Sequence, residues 1–101
     1  MRKIEQRMMN AINNKVNYRE SNTEVIIKCA NVFVRLYDTY IYAKVRGKVY
    51  FSNGGFNTVT TGSRLRALGA DYSINEKLCN CKLTSQKEML NLRYYGKKTI
   101  S

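Results

Sequence analysis

Between Phe33 and Tyr50 the chain interleaves rings and cations with aliphatic residues. Once the turns are allowed for, Phe33, Arg35, Tyr37, Tyr40, Tyr42, Lys44 and Tyr50 are expected on one side of a sheet, with Arg46 and Lys48 at its turn. Rings stack on unpaired bases while cations neutralise phosphates, and each stacked base contributes about 1–3 kcal/mol. Such a face would hold single-stranded DNA or RNA, with Arg64, Arg66 and the Lys97-Lys98 pair adding charge. Tyrosine and arginine are also enriched at protein interfaces, and both residue types serve on ordinary solvated strands. The alternation alone leaves these three readings open.

Other chemistry is poorly supplied. There is no histidine for proton transfer near neutral pH. The seven acids are scattered and form no paired-carboxylate or metal-binding pattern. Cys79-x-Cys81 lacks a second pair and histidine partners, so neither zinc nor any other metal or cofactor is expected. With Cys29 these cysteines read as three reduced thiols, the redox reading of the pair being the weaker one. Thr60-Thr61-Gly62-Ser63-Arg64 offers hydroxyls and an arginine to a phosphate, yet helix capping explains it more simply. No Walker-type lysine stands there. The expectation is a binding protein, not an enzyme.

The elements that must position these residues follow from spacing. Ile4, Met8, Ala11 and Ile12 form an apolar stripe, which predicts a helix over residues 2–14. Residues 17–22 are polar and read as a loop. Strands follow over 23–29, 32–37 and 40–45, with Val49 and Phe51 on a further one. A two-residue turn at Asp38-Thr39 sets Leu36 opposite Ile41, Val34 opposite Ala43 and Phe33 opposite Lys44. A three-residue turn over Arg46-Gly47-Lys48 sets Val45 opposite Val49. Thr60 or Thr61 caps a second helix ending at Leu68 and Gly69, anchored by Leu65 and Leu68, with Arg64 and Arg66 outward. Residues 72–77 and 79–83 suggest two short strands, and Ser85-x-x-Glu88 opens a short helix carrying Met89, Leu90 and Leu92.

The fold class is therefore α+β: an N-terminal helix, an antiparallel meander of three to four strands, a second helix on one sheet face, and short C-terminal elements. Residues 1–93 read as one domain and 94–101 as a flexible basic tail. Both inferred helices are expected on the aliphatic face, leaving the rings and cations uncovered. Helix, three strands, helix is also the order in double-stranded RNA-binding domains, but the lysine-rich helix start that those domains use is missing here.

Eighteen Lys and Arg stand against seven Asp and Glu, a formal net charge of +11 on 101 residues. That surplus favours a polyanion or a protein with an acidic face. A domain this small has a thin core, which makes a homo-oligomer a further expectation. No apolar run reaches the length of a membrane span, and the first residues lack a signal-peptide pattern. The default address is cytoplasmic.

Val49-Tyr50-Phe51-Ser52-Asn53-Gly54-Gly55-Phe56-Asn57-Thr58, followed by Thr60-Thr61-Gly62-Ser63-Arg64-Leu65-Arg66-Ala67-Leu68, resembles small hypothetical proteins encoded by tailed bacteriophages. Those proteins look similar near the N-terminus too, where a helix precedes an Asn-Thr-x-Val strand, here Asn22-Thr23-Glu24-Val25. Their usual Trp is Phe56 in this chain. The resemblance spans residues 2–69 and implies a phage origin and expression in the cytoplasm of a bacterial host. It implies no activity. An accessory protein that binds nucleic acid is the leading expectation. A host-directed inhibitor of a bacterial defence or transcription factor is the alternative, and a minor virion component is the third. In the motif itself, Gly54-Gly55 is expected to turn the chain sharply and Phe56 to fill the space between sheet and second helix.

Overall fold

A computed structural model describes residues 2–56, 58–72 and 83–98. Helix α1 (Lys3–Asn14) opens with one half of a capping box, Arg2 N donating to Glu5 Oε1 at 3.2 Å. It ends at Lys15, whose φ of 53° places it in the left-handed region. Five antiparallel strands follow in sequence order: β1 (Tyr18–Glu20), β2 (Thr23–Lys28), β3 (Asn31–Leu36), β4 (Thr39–Val45) and β5 (Lys48–Phe51). Helices α2 (Val59–Ala67) and α3 (Gln86–Lys98) complete the described fold. The α+β class with its N-terminal helix and meander is what the sequence predicts. The extra strand, β1, lies in the stretch expected as a loop; it pairs Tyr18 with Val25 and Glu20 with Thr23.

Two features of the sheet depart from expectation, and both change which side chains share a face. The hairpin turn after β3 is Tyr37-Asp38, with Leu36 opposite Thr39. Farther along, Arg35 pairs with Tyr40 but Val34 pairs with Tyr42, so Ile41 is an extra residue, a β-bulge. Phe33 thus faces Ala43 instead of Lys44, and Val34 faces Tyr42 instead of Ala43. Slippage by one residue sends every side chain beyond it to the other face. The next turn is the two-residue Arg46-Gly47, both at positive φ, with Val45 opposite Lys48. The three-residue turn over Arg46–Lys48 is corrected accordingly.

The sheet consequently has a core on each side. On one side α1 and α2 lie over Val25, Val32, Val34, Leu36, Ile41 and Tyr42, contributing Met8, Ala11, Leu65 and Leu68. On the other, Met89 of α3 is fully buried against Phe33, Tyr40, Ala43 and Val45, with Ile26, Tyr50 and Leu92 packed around them. Both early helices do sit on the aliphatic face. The opposite face is not open, because α3 covers it. Residues 40–43 are buried in succession, as a strand sandwiched by helices must be.

Helix α3 starts as the Ser85 pattern suggests: Glu88 N donates to Ser85 Oγ at 3.2 Å. It continues to Lys98, into the segment expected as a tail. Leu83 forms a parallel bridge to Phe51, and Thr84 N donates to Phe51 O, which sets the chain entering α3 beside the end of β5. Apart from Tyr72 and Leu83, the expected strands over 72–77 and 79–83, with Cys79 and Cys81, lie outside the described residues.

Candidate functional site

The bulge scatters the predicted aromatic and basic face. Phe33 and Tyr40 are 0% and 2% exposed under α3, and Tyr42 is 7% exposed under α1 and α2. Burial raises the Tyr42 hydroxyl above its ordinary pKa of 10. Arg35 is half-buried, paired with Glu24, and holds its guanidinium 6.0 Å from the Tyr40 ring centre. A second guanidinium, from Arg93 of α3, lies 5.5 Å from the same ring. Tyr37 is exposed, but at the opposite end of the sheet from Arg46. Three of the rings expected to stack on bases are thus structural.

The resemblance motif is structural as well. Thr58 caps α2, its Oγ1 accepting from Thr61 N at 3.2 Å, so the cap falls two or three residues earlier than Thr60 or Thr61. The motif's Arg64 does not point outward. It is 3% exposed; Nη1 donates to Glu5 Oε2 at 2.6 Å and Nε to Thr23 Oγ1 at 3.1 Å. Ser63 Oγ donates to the same Glu5 oxygen. Burial pushes the Glu5 carboxyl up, but the hydrogen bonds from Ser63 and Arg64 outweigh it and hold its pKa below the ordinary value of 4.5. Glu5, Thr23 and Arg64 therefore tie α1, β2 and α2 together, and no phosphate site remains among these groups. Arg66 is exposed, with Nη1 donating to Tyr72 O at 3.3 Å. Phe56 does not plug the corner; it is 56% exposed.

What stays together is basic. In a meander, alternate turns share an end, so the β2–β3 turn and the β4–β5 turn lie side by side. Asn31 Oδ1 accepts from Arg46 N at 3.4 Å across them. This places Lys28 of β2, Lys44 of β4, Lys48 of β5 and Arg46 of the β4–β5 turn along one rim, with Lys28 and Lys48 on the α3 face and Lys44 on the other. At about 4.8 Å per strand the row spans roughly 14 Å. Lys15, at the end of α1, stands near it: Asn17, two residues on, accepts from Ile27 N at 2.9 Å. Tyr50 flanks the row from the α3 side and, with Val45, Arg46, Lys48 and Leu92, lines a shallow groove of about 270 Å³.

Three of the seven carboxylates are paired elsewhere. Residues 25–37 and 39–70 contain no Asp or Glu. Glu5, Glu20 and Glu24 lie towards the other end, where they engage Arg64, Arg7 and Arg35. Asp38 joins them at the Tyr37 turn. On α3, Glu88 borders an adjoining groove with Asn91, which shares Tyr50 and Leu92 with the groove beside Arg46 and Lys48. Of the expected site residues, the fold thus gathers Lys44, Arg46, Lys48 and Tyr50. Sequence reading missed Lys28 and Lys15. Lys28 was findable, since it immediately precedes a turn on the same end as Arg46.

Among the described residues, no three His, Cys, Asp or Glu side chains come together as a metal site, and no helix is long and apolar enough to cross a membrane. No curated protein and no solved structure matches the chain. The chain matches a family of phage proteins over residues 1–98, from the start of α1 through the sheet and the Glu5–Arg64 tie to the end of α3. With that whole frame covered, the chain belongs to the Kyanoviridae Gp96 protein family.

Proposed function

We propose that this phage protein is a non-catalytic accessory module that holds the phosphate backbone of nucleic acid along the rim formed by Lys28, Lys44, Arg46 and Lys48. The observation that carries the reading is the separation of charge: cations line one end of the sheet, residues 39–70 supply no carboxylate there, and Glu5, Glu20 and Glu24 are paired with arginines towards the other end. A net charge of +11 would by itself serve only solubility. A row of cations on the turns of a rigid sheet is a different matter, because their spacing is fixed before a ligand arrives. With Phe33, Tyr40 and Tyr42 buried, base stacking is not the main source of affinity. Tyr50 is the one ring of the expected set that lies beside the cations. The contact is therefore chiefly with phosphates and indifferent to sequence, with dissociation constants of about 10⁻⁴–10⁻⁶ M at physiological salt.

Fluorescence anisotropy on labelled single-stranded and duplex oligonucleotides tests this over a salt series. Engagement of all four cations gives a slope of about −3 to −4 in log K against log salt. Changing Lys28, Lys44 and Lys48 to Glu together should abolish binding and leave the circular dichroism spectrum intact. Arg19→Glu, on β1, should change it little. Equal losses from both changes would show that net charge, and not this rim, is responsible, and the reading would fall.

A further inference from the structure

The end of the sheet opposite the basic rim carries a different surface. Tyr37, at the tip of the β3–β4 hairpin, is 67% exposed and sits at a φ of 56°. Left-handed backbone is costly for a bulky residue, and turns of this kind usually place Asn, Asp or Gly there. Beside it lies an apolar groove of about 340 Å³, walled by Leu36, Ile41, Phe56, Thr58 and Thr61. Phe56 is 56% exposed on its edge, and Val59, one residue past Thr58, is 65% exposed. Across the Tyr37-Asp38 tip from the groove is a second, polar cleft of about 440 Å³ bordered by Arg19, Glu24, Arg35 and Asp38. Those four charges sum to zero.

We infer that this end is a self-association surface, occupied by a second copy of the same chain. The charge distribution selects that occupant. Two chains of +11 repel one another wherever their cations meet. The Tyr37 end holds Glu20, Glu24 and Asp38, and its cleft is electrically balanced; Glu24 and Arg35 pair within the chain, and Arg19 and Asp38 offer the two signs to a partner. A two-fold contact is self-complementary by symmetry. Tyr37 of each chain enters the other's apolar groove beside Phe56, and Asp38 of each meets Arg19 of the other. A polyanion is disfavoured here, since Glu24 and Asp38 face it. An exposed aromatic held at a strained tip next to an apolar groove is the arrangement expected of an interface anchor. The two basic rims of such a dimer point away from each other.

Sedimentation equilibrium of the nuclease-treated full chain, over a wide concentration range, decides the matter. A monomer–dimer equilibrium is expected. Tyr37→Ala and Phe56→Ser should each raise its dissociation constant about tenfold or more. Asp38→Lys should do the same, and Lys44→Ala should leave it unchanged. A single monomer mass at every concentration overturns the inference. So does a dimer that dissolves on nuclease treatment, or one that is indifferent to Tyr37→Ala, Phe56→Ser and Asp38→Lys alike.

Discussion

The side-chain amide of Gln86 grips the backbone of Tyr40 from both directions: Oε1 accepts from Tyr40 N at 3.0 Å and Nε2 donates to Tyr40 O. The same Nε2 also donates to Ser52 Oγ at 3.1 Å. The pairing is a repair. Beyond Phe51 the chain leaves the sheet through Asn53-Gly54-Gly55, so the outer edge of β4 at Tyr40 has no strand beside it. A buried backbone amide and carbonyl without partners would be costly. Gln86 supplies both, and so fixes the start of α3 against β4. Gln86→Leu, which keeps the bulk and removes both polar atoms, should destabilise the fold by about 1–3 kcal/mol in urea denaturation. Gln86→Glu, lacking the donor, should be nearly as harmful.

How much of this was legible in the sequence depends on what each residue reports. The stripe Ile4, Met8, Ala11 and Ile12 announces α1 because burial of one face needs that period. The strands announce themselves by alternation. The bulge at Ile41 has no such signature, since Tyr40, Ile41, Tyr42 and Ala43 suit either face. A reading that keeps strict alternation past that point assigns Tyr42 and Lys44 to the face of Phe33, and a binding platform follows from the error. The covering helix was half visible. Ser85 and Glu88 mark its start, but only the three-dimensional position of Met89 shows which surface it hides. The basic rim was legible in part, through Lys44, Arg46 and Lys48; Lys28 required knowing that alternate turns meet.

Met89 tests the covered face directly. It is fully buried between α3 and Phe33, Tyr40, Ala43 and Val45. Truncation to Ala removes that packing and leaves a cavity, at a cost of about 2–5 kcal/mol. Thermal unfolding should show the loss. If the change were silent, α3 would not be docked on the sheet.

Glu5 and Arg64 form an ion pair in which both side chains are nearly inaccessible, 3% and 4% exposed. Removing one partner leaves the other charge buried alone, so Glu5→Gln or Arg64→Met should destabilise by about 3–5 kcal/mol. The double change Glu5→Leu/Arg64→Met should cost much less than the two singles summed, since no charge is stranded. The sign of the pH effect follows from the lowered Glu5 pKa. A carboxyl whose folded pKa lies below its unfolded one stabilises the fold above the unfolded value and loses that contribution as pH falls through the folded one. Denaturation midpoints should therefore drop below about pH 4.5 in the parent and drop less steeply in Glu5→Gln.

Gly54 occupies the corner after β5 at a φ of +63°, and a Cβ added there would stand 2.2 Å from Thr39 Cγ2. Backbone strain and collision act together, and the neighbour is a β-branched side chain with little freedom to move. Gly54→Ala should cost about 1–3 kcal/mol from the conformation alone, and more from the clash. Thr39→Ser in the same chain should recover the second part but not the first. Gly55, at φ +85° with open space around it, should show only the conformational cost.

Tyr40 carries the last test, because its ring and its hydroxyl have opposite values to the fold. The ring is 2% exposed, flanked by the guanidinium groups of Arg35 and Arg93, and belongs to the core beneath α3. The hydroxyl is buried without a hydrogen-bond partner among the described residues. A lone buried hydroxyl opposes folding, and removing it relieves the desolvation cost. Tyr40→Phe should therefore be neutral or stabilising by up to about 1 kcal/mol, while Tyr40→Leu, which loses the ring faces that meet both guanidinium groups, should destabilise. Affinity for nucleic acid should be the same in Tyr40→Phe as in the parent, as a ring buried under α3 cannot stack on a base. A marked loss of binding from that single hydroxyl would return Tyr40 to the site and remove the argument that α3 displaces it.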